Sequence, residues 1–210
     1  ERLESDPVAA QLCVLVADAM AAATLQEMGV EPDCVFGHSF GELAALVAAK
    51  VWSLEQALRI ALVRARAIAA APRGHLLALP LSEAEAAALL KQSGLPVFVT
   101  HLNAPQQTVV GGGLEAMTAL LPFLADRGVK GIRLDVAGAL HTPLMAEART
   151  TLGRVLETEP LQPPTTLLLT SADNRYSSEP GEIRESLSAQ LTEPVRYQRM
   201  VERLVRDGSV

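Results

Sequence analysis

The sequence predicts an α/β fold: a mainly parallel sheet with helices, like the large subdomain of an α/β-hydrolase, into which a small ferredoxin-like β-α-β-β-α-β subdomain is inserted. Three observations carry this reading. Short apolar runs alternate with helical stretches in the first and last thirds of the 210 residues. A β-α-β-β-α-β rhythm fills the middle third. Residues 37–41 read G-x-S-x-G between a short apolar run and a helical stretch, the strand-turn-helix setting that this pattern needs. The expected division is residues 1–73 and 137–210 for the large subdomain, which carries the chemistry, and 74–136 for the small one.

Taken in order, Pro7 opens a helical pattern over residues 7–28, and Gly29 closes it. The apolar stretch 8–25 is rich in Ala and broken by Gln11 and Asp18, so a buried helix is expected rather than a bilayer span. After the turn at Glu31-Pro32-Asp33, residues 34–36 form a strand and 41–49 a helix. Ser53 with Gln56 has capping-box spacing and starts a helix that ends before Pro72-Arg73-Gly74. Residues 76–79 read as a strand and Ser82 caps a helix to residue 92. Residues 97–99 and 108–110 are strands around Asn103-Ala104-Pro105, 114–126 a helix, and 132–134 a strand. Helices are expected over 143–157, 181–190 and 194–205, with a strand at 166–170.

Composition narrows the function. The chain is 49% apolar, 20% charged and 3% aromatic, with mean hydropathy +0.22, enough apolar surface for a folded core. Few aromatics and a net charge of −6 exclude a stacking platform or a broad phosphate-binding face, so nucleic acid is not an expected partner. Cys13 and Cys34 are expected to be reduced and packed. The opening Glu1-Arg2-Leu3-Glu4-Ser5-Asp6 lacks the features of a secretory signal, and a cytoplasmic protein without a membrane span is expected. No metal site is expected.

The chemistry centres on Gly37-His38-Ser39-Phe40-Gly41. Flanking glycines permit a tight turn that projects the Ser39 hydroxyl, and the Phe40 amide at the following helix start is a natural oxyanion donor. A serine nucleophile needs a base. Of the four histidines, His38 adjoins Ser39 and should point away, while His75 and His101 lie in the inserted unit. His141, in a loop after a strand and before Pro143, is the expected base. Asp126 and Asp135 fall between Ser39 and His141 in the chain order of an α/β-hydrolase, which keeps a serine hydrolase or thioesterase as an alternative.

Gly37-His38-Ser39-Phe40-Gly41-Glu42, then Arg64, then Asn103-Ala104-Pro105-Gln106-Gln107, then Gly138-Ala139-Leu140-His141-Thr142-Pro143-Leu144-Met145 resemble the acyltransferases that load acyl carrier proteins. These are the malonyl-CoA:ACP transacylases and the acyltransferase domains of polyketide and polyunsaturated-fatty-acid synthases. The resemblance implies that Ser39 takes an acyl group from CoA, that His141 is the base, and that the backbone carbonyl of Gln190 orients it. It makes Arg64 the clamp for a malonyl carboxylate, which a guanidinium binds by two charge-assisted hydrogen bonds. Asn103 falls in the third matching segment and is expected to meet substrate. Leu140 sits where malonyl enzymes carry Phe and methylmalonyl enzymes Ser, so malonyl-CoA is the expected donor, as substrate and not as a resident cofactor. The acceptor would be the phosphopantetheine arm of a carrier protein, within a larger synthase. The family's opening glycine-glutamine loop has no counterpart before Pro7, and its last strand none after Val210. A fragment with an incomplete oxyanion hole, weak or inactive alone, is therefore expected as well. Arg199, Arg203 and Arg206 recur at helical spacing, and an ordinary solvated face is expected there rather than a docking stripe.

Overall fold

The computed structural model describes residues 7–136 and 138–208. Helix α1 (Pro7–Glu27) leads to strand β1 (Cys34–Phe36), a one-turn 3-10 helix (Ser39–Gly41), helix α2 (Glu42–Ala48) and helix α3 (Leu54–Ala70). Strand β2 (Gly74–Leu79), helix α4 (Glu83–Ser93), strands β3 (Val97–Ala104) and β4 (Gln107–Gly113), helix α5 (Leu114–Ala125) and strand β5 (Ile132–Leu134) follow. A second 3-10 turn (Pro143–Met145) precedes helix α6 (Ala146–Thr158), strands β6 (Leu167–Thr170) and β7 (Arg175–Tyr176), and helices α7 (Pro180–Ala189) and α8 (Tyr197–Asp207).

Local chemistry sets several boundaries. Ser53 with Gln56, and Ser82 with Glu85, make reciprocal capping boxes that start α3 and α4. Gly94 closes α4 in the left-handed conformation, φ 62°.

Strands β3-β4-β2-β5 form one antiparallel sheet in that order, which is the ferredoxin-like arrangement. Leu77, Leu79 and Val110 of the sheet pack against Leu89 and Leu90 of α4 and Met117, Leu120 and Leu124 of α5. The second sheet has the order β1-β6-β7. β1 and β6 run parallel, but β7 returns antiparallel, so this sheet is mixed where a mainly parallel one was expected. The α/β class holds. Its principal core gathers Leu46, Ile60, Leu156 and Ile183 from the surrounding helices and Trp52 and Met145 from the turns beside them, with Leu168 of β6.

Helix α1 departs from expectation. It packs along α2 and α3, with only Leu15 and Ala19 buried among its described side chains. Met20 and Leu25 are exposed, and Cys13 is exposed too, not packed. A long Ala-rich apolar stretch can bury one narrow seam and leave the rest in solvent, which composition does not distinguish from full burial. Val8–Glu27 is, by length and composition alone, the described helix able to cross a membrane.

Strand β3 is tied to the segment before α8. Leu102 N–H donates to the Val195 carbonyl at 2.8 Å, and Val195 N–H donates to the Thr100 carbonyl at 2.9 Å. This parallel bridge at His101 and Val195 holds the outer strand of the antiparallel sheet against the segment before α8. On α8, Arg199 pairs with Glu83 of α4 at 2.7 Å, and Arg203 lies over the Tyr176 ring and beside Asp207. Two of the three helical arginines are thus engaged within the chain.

Candidate active site

The turn after β1 sets the first side chain. Ser39 has φ 52°, a left-handed conformation unusual for a residue with a side chain. Gly37 permits it: a Cβ there would lie 2.1 Å from the Gly41 carbonyl carbon. Gly41 itself has φ −60° and open space where a Cβ would stand, so only the first of the flanking glycines is required by the backbone. Phe40 follows within the 3-10 turn, and its amide is among the first N–H groups of that turn, which lack a carbonyl partner one turn back.

Ser39 Oγ lies 2.7 Å from His141 Nε2. His141 is buried, also with positive φ, 61°. Its Nδ1 is 2.7 Å from the Gln190 carbonyl and 3.1 Å from the Glu193 carbonyl. Carbonyls only accept, so Nδ1 carries the proton, Nε2 is bare, and Ser39 donates to it. The backbone N–H of His141 donates to the Leu191 carbonyl at 2.9 Å, so ring and main chain dock on one segment. Neither Asp126 nor Asp135 is a partner of His141; two carbonyls occupy the place that a carboxylate would take in a hydrolase triad. Burial, with the nearby charge of Arg64, lowers the His141 pKa to about 4. The ring is therefore neutral, and basic at Nε2, at neutral pH.

Arg64 projects from α3 and is 2% exposed. Nη1 donates to Gln11 Oε1 at 3.3 Å. Nε and Nη2 are buried without a hydrogen-bond partner among the described residues. The guanidinium carbon stands 5.4 Å from the centre of the Phe40 ring. Burial lowers the Arg64 pKa to about 10, opposed by the charge of Glu42, so Arg64 is a cation at neutral pH. Unpaired donors on a buried cation are costly, and a carboxylate fits the two that are free. Arg64, Ser39, Phe40, Leu140 and Asn103 line one cleft of about 630 Å³.

His101, set aside because it belongs to the inserted unit, lines that cleft too. It stacks on His38 at 5.3 Å and meets His141 edge-on at 4.7 Å. The Thr100 hydroxyl donates to the Val109 carbonyl, so it accepts from His101 Nδ1 at 2.9 Å and leaves Nε2 bare. Burial and the neighbouring His141 and His38 lower the His101 pKa to about 2, so no second imidazolium competes with His141. His38 pairs Nε2 with Asn103 Oδ1 at 2.9 Å and lines the same cleft as Ser39, where a side chain turned away from the site was expected. The usable sequence signal was the spacing of His101 and Asn103, two residues apart on one strand and so able to share a face. His75 is not part of the site. No group of three or more His, Cys, Asp or Glu side chains suited to a metal ion occurs among the described residues. The expectation about the segment before Pro7 lies outside the described residues.

Residues 4–209 match the family described as acyl transferase domain. The chain is 39% identical over 139 residues to the polyketide synthase GfsE of Streptomyces halstedii, covering 65% of this chain and 4% of that protein. It is 28% identical over 199 residues to a malonyl CoA-acyl carrier protein transacylase of Synechocystis, covering 95% of this chain and 67% of that protein. A solved structure titled as a type II polyketide synthase acyl-carrier protein in complex with its malonyl-transacylase matches at 28% identity and TM-score 0.90, over 96% of this chain and 68% of that one. The chain therefore spans a small part of the synthase and about two thirds of the transacylases.

Proposed function

The chain belongs to the acyl transferase domain family, and from that premise we propose that it moves a malonyl group from CoA, through an ester on Ser39, to the phosphopantetheine thiol of an acyl carrier protein. In the first half-reaction Ser39 Oγ attacks the thioester carbonyl while His141 Nε2 takes its proton. The Phe40 amide donates to the oxyanion, and the departing CoA sulfur recovers the proton from His141. In the second half, the carrier thiol gives its proton to His141, attacks the ester, and Ser39 leaves with that proton. The Gln190 and Glu193 carbonyls hold Nδ1–H, so the ring keeps one tautomer and stabilises its charge when Nε2 is protonated. No cofactor is needed for these steps.

The observation that carries the reading is Arg64, a buried cation with two unpaired donors in the cleft of the Ser39–His141 pair. Those donors favour an acyl group that ends in a carboxylate. Leu140, which lines the same cleft, supports malonyl over a branched extender through the space that it fills, a difference worth about 1–3 kcal/mol per methylene. The likeness to part of a polyketide synthase supports neighbouring synthase domains as partners.

Intact-protein mass spectrometry tests this. Malonyl-CoA should leave one malonyl adduct on the wild-type chain and none on Ser39→Ala, and holo-carrier protein should discharge it faster than water does. An adduct that survives Ser39→Ala overturns the nucleophile assignment, and discharge at the same rate with and without carrier makes the chain a hydrolase.

A further inference from the structure

Behind the serine, away from the cleft, lies a buried acid that none of these steps uses. Glu42, the first residue of α2, is fully buried. Its Oε2 accepts from Ser171 Oγ at 2.7 Å and from Gln190 Nε2. The other proton of the same Gln190 amide goes to the backbone carbonyl of Ser39, 3.0 Å away. The hydrogen bonds thus close a ring: Ser39 Oγ to His141 Nε2, His141 Nδ1 to the Gln190 carbonyl, and the Gln190 side chain back to Ser39. Glu42 holds that ring from outside.

Two features of this ring are not accounted for by the orienting bond to His141. Any residue at position 190 offers a backbone carbonyl, whereas the Gln190 side chain adds two N–H donors on one uncharged nitrogen, which bridge a carbonyl and a carboxyl. Ser39 and His141, the residues joined by the ring, both hold positive φ, a strain that persists only where surrounding contacts over-determine it. Burying a carboxyl group is also expensive unless its hydrogen bonds serve it; Oε2 of Glu42 has two, while Oε1 is buried with no hydrogen-bond partner among the described residues. Desolvation raises the pKa of Glu42, and the bonds from Ser171 and Gln190 oppose that rise.

We propose that Glu42 and the side chain of Gln190 are positioning residues: Glu42 anchors the Gln190 amide, and the amide fixes the spacing between the turn that carries Ser39 and the segment that holds His141. This rests on the reading of Ser39 as nucleophile and His141 as base. It extends the role of Gln190 from its main-chain carbonyl to its side chain and adds a partner that meets no substrate, since neither Glu42 nor Gln190 lines the cleft.

The test is the rate at which a fluorophosphonate labels Ser39, a reaction that needs the Ser39–His141 geometry but no malonyl group. Wild type, Glu42→Met, Gln190→Ala, their double variant and Ser171→Ala are compared, with the KM for malonyl-CoA and the urea midpoint measured beside each. Glu42→Met, which removes the acceptor, and Gln190→Ala, which removes the donor, should each slow labelling about tenfold while KM stays within about threefold. The double variant should be no slower than the slower single, because both changes break the same tether. Labelling at the wild-type rate in both single variants, or a double-variant loss equal to the product of the single losses, overturns the proposal. Ser171→Ala removes one partner of Glu42 and none of Ser39, Gln190 or His141, and it decides the matter if a larger change prevents folding. Slower labelling at unchanged KM then supports the tether, and an unchanged rate overturns it. A wild-type protein that is not labelled would instead overturn the Ser39 reading itself.

Discussion

At the scale of single residues, the account depends on a histidine kept neutral by its surroundings. Burial and the charge of Arg64 lower the His141 pKa to about 4, against hydrogen bonds that the ring donates to two carbonyls, which raise it. The base therefore loses function only when pH falls through that value. The acid limb of kcat/KM for malonyl transfer, which reports the free enzyme, should lie near pH 4; a limb near the ordinary histidine value of about 6.5 would contradict the buried, carbonyl-held ring. The linked stability has the same sign: it is fully present above about pH 6.5 and is lost as pH falls toward 4. Ser39 was legible from its motif and His141 from its loop before Pro143, whereas Arg64 stands in no local motif and was expected from the family resemblance alone. His101 was not legible, because its place beside His141 depends on the bridge to Val195, a contact between distant segments. Glu42 was read only as the end of a motif, and its partner Gln190 lies 148 positions away.

At the scale of elements, the turn between β1 and α2 decides whether the serine is presented. A Cβ on Gly37 would meet the Gly41 and Glu42 main chain at 2.1–2.2 Å, which no side-chain adjustment relieves. Gly37→Ala should lower stability by about 1–3 kcal/mol in urea titration and slow acylation of Ser39. Gly41→Ala, at φ −60° with open space around it, should keep or raise stability by up to about 1 kcal/mol. Equal losses from the two would show that the tight approach at Gly37 does not set the turn. Caps, apolar runs and glycine stops located nearly every helix and strand. The two-residue strand β7 escaped because it is defined by pairing with β6 rather than by its own pattern. The helix expected from residue 143 begins instead with a 3-10 turn, where the Thr142 hydroxyl accepts from Leu144 N–H, and becomes α-helical at Ala146. The exposure of α1 was illegible for a different reason: an Ala-rich helix shows little contrast between its faces.

At the scale of the whole molecule, the cleft gathers residues from distant parts of the chain. Ser39 and Arg64 come from β1's turn and α3, His101 and Asn103 from β3, and Leu140 and His141 from the loop after β5. The βαββαβ rhythm announced the antiparallel sheet, whereas the bridge that ties it to Val195, before α8, is a tertiary contact with no local signal. The central claim is that this cleft selects an acyl group by its free carboxylate. Two charge-assisted hydrogen bonds from Arg64, about 1.5–3 kcal/mol each, correspond together to a factor of about a hundred or more. The direct measurement is the initial rate of Ser39 acylation by malonyl-CoA and by acetyl-CoA, in wild type and Arg64→Ala, followed by intact mass. Malonyl loading should fall about a hundredfold or more in Arg64→Ala while acetyl loading changes little; an equal fall for both acyl groups would contradict the account.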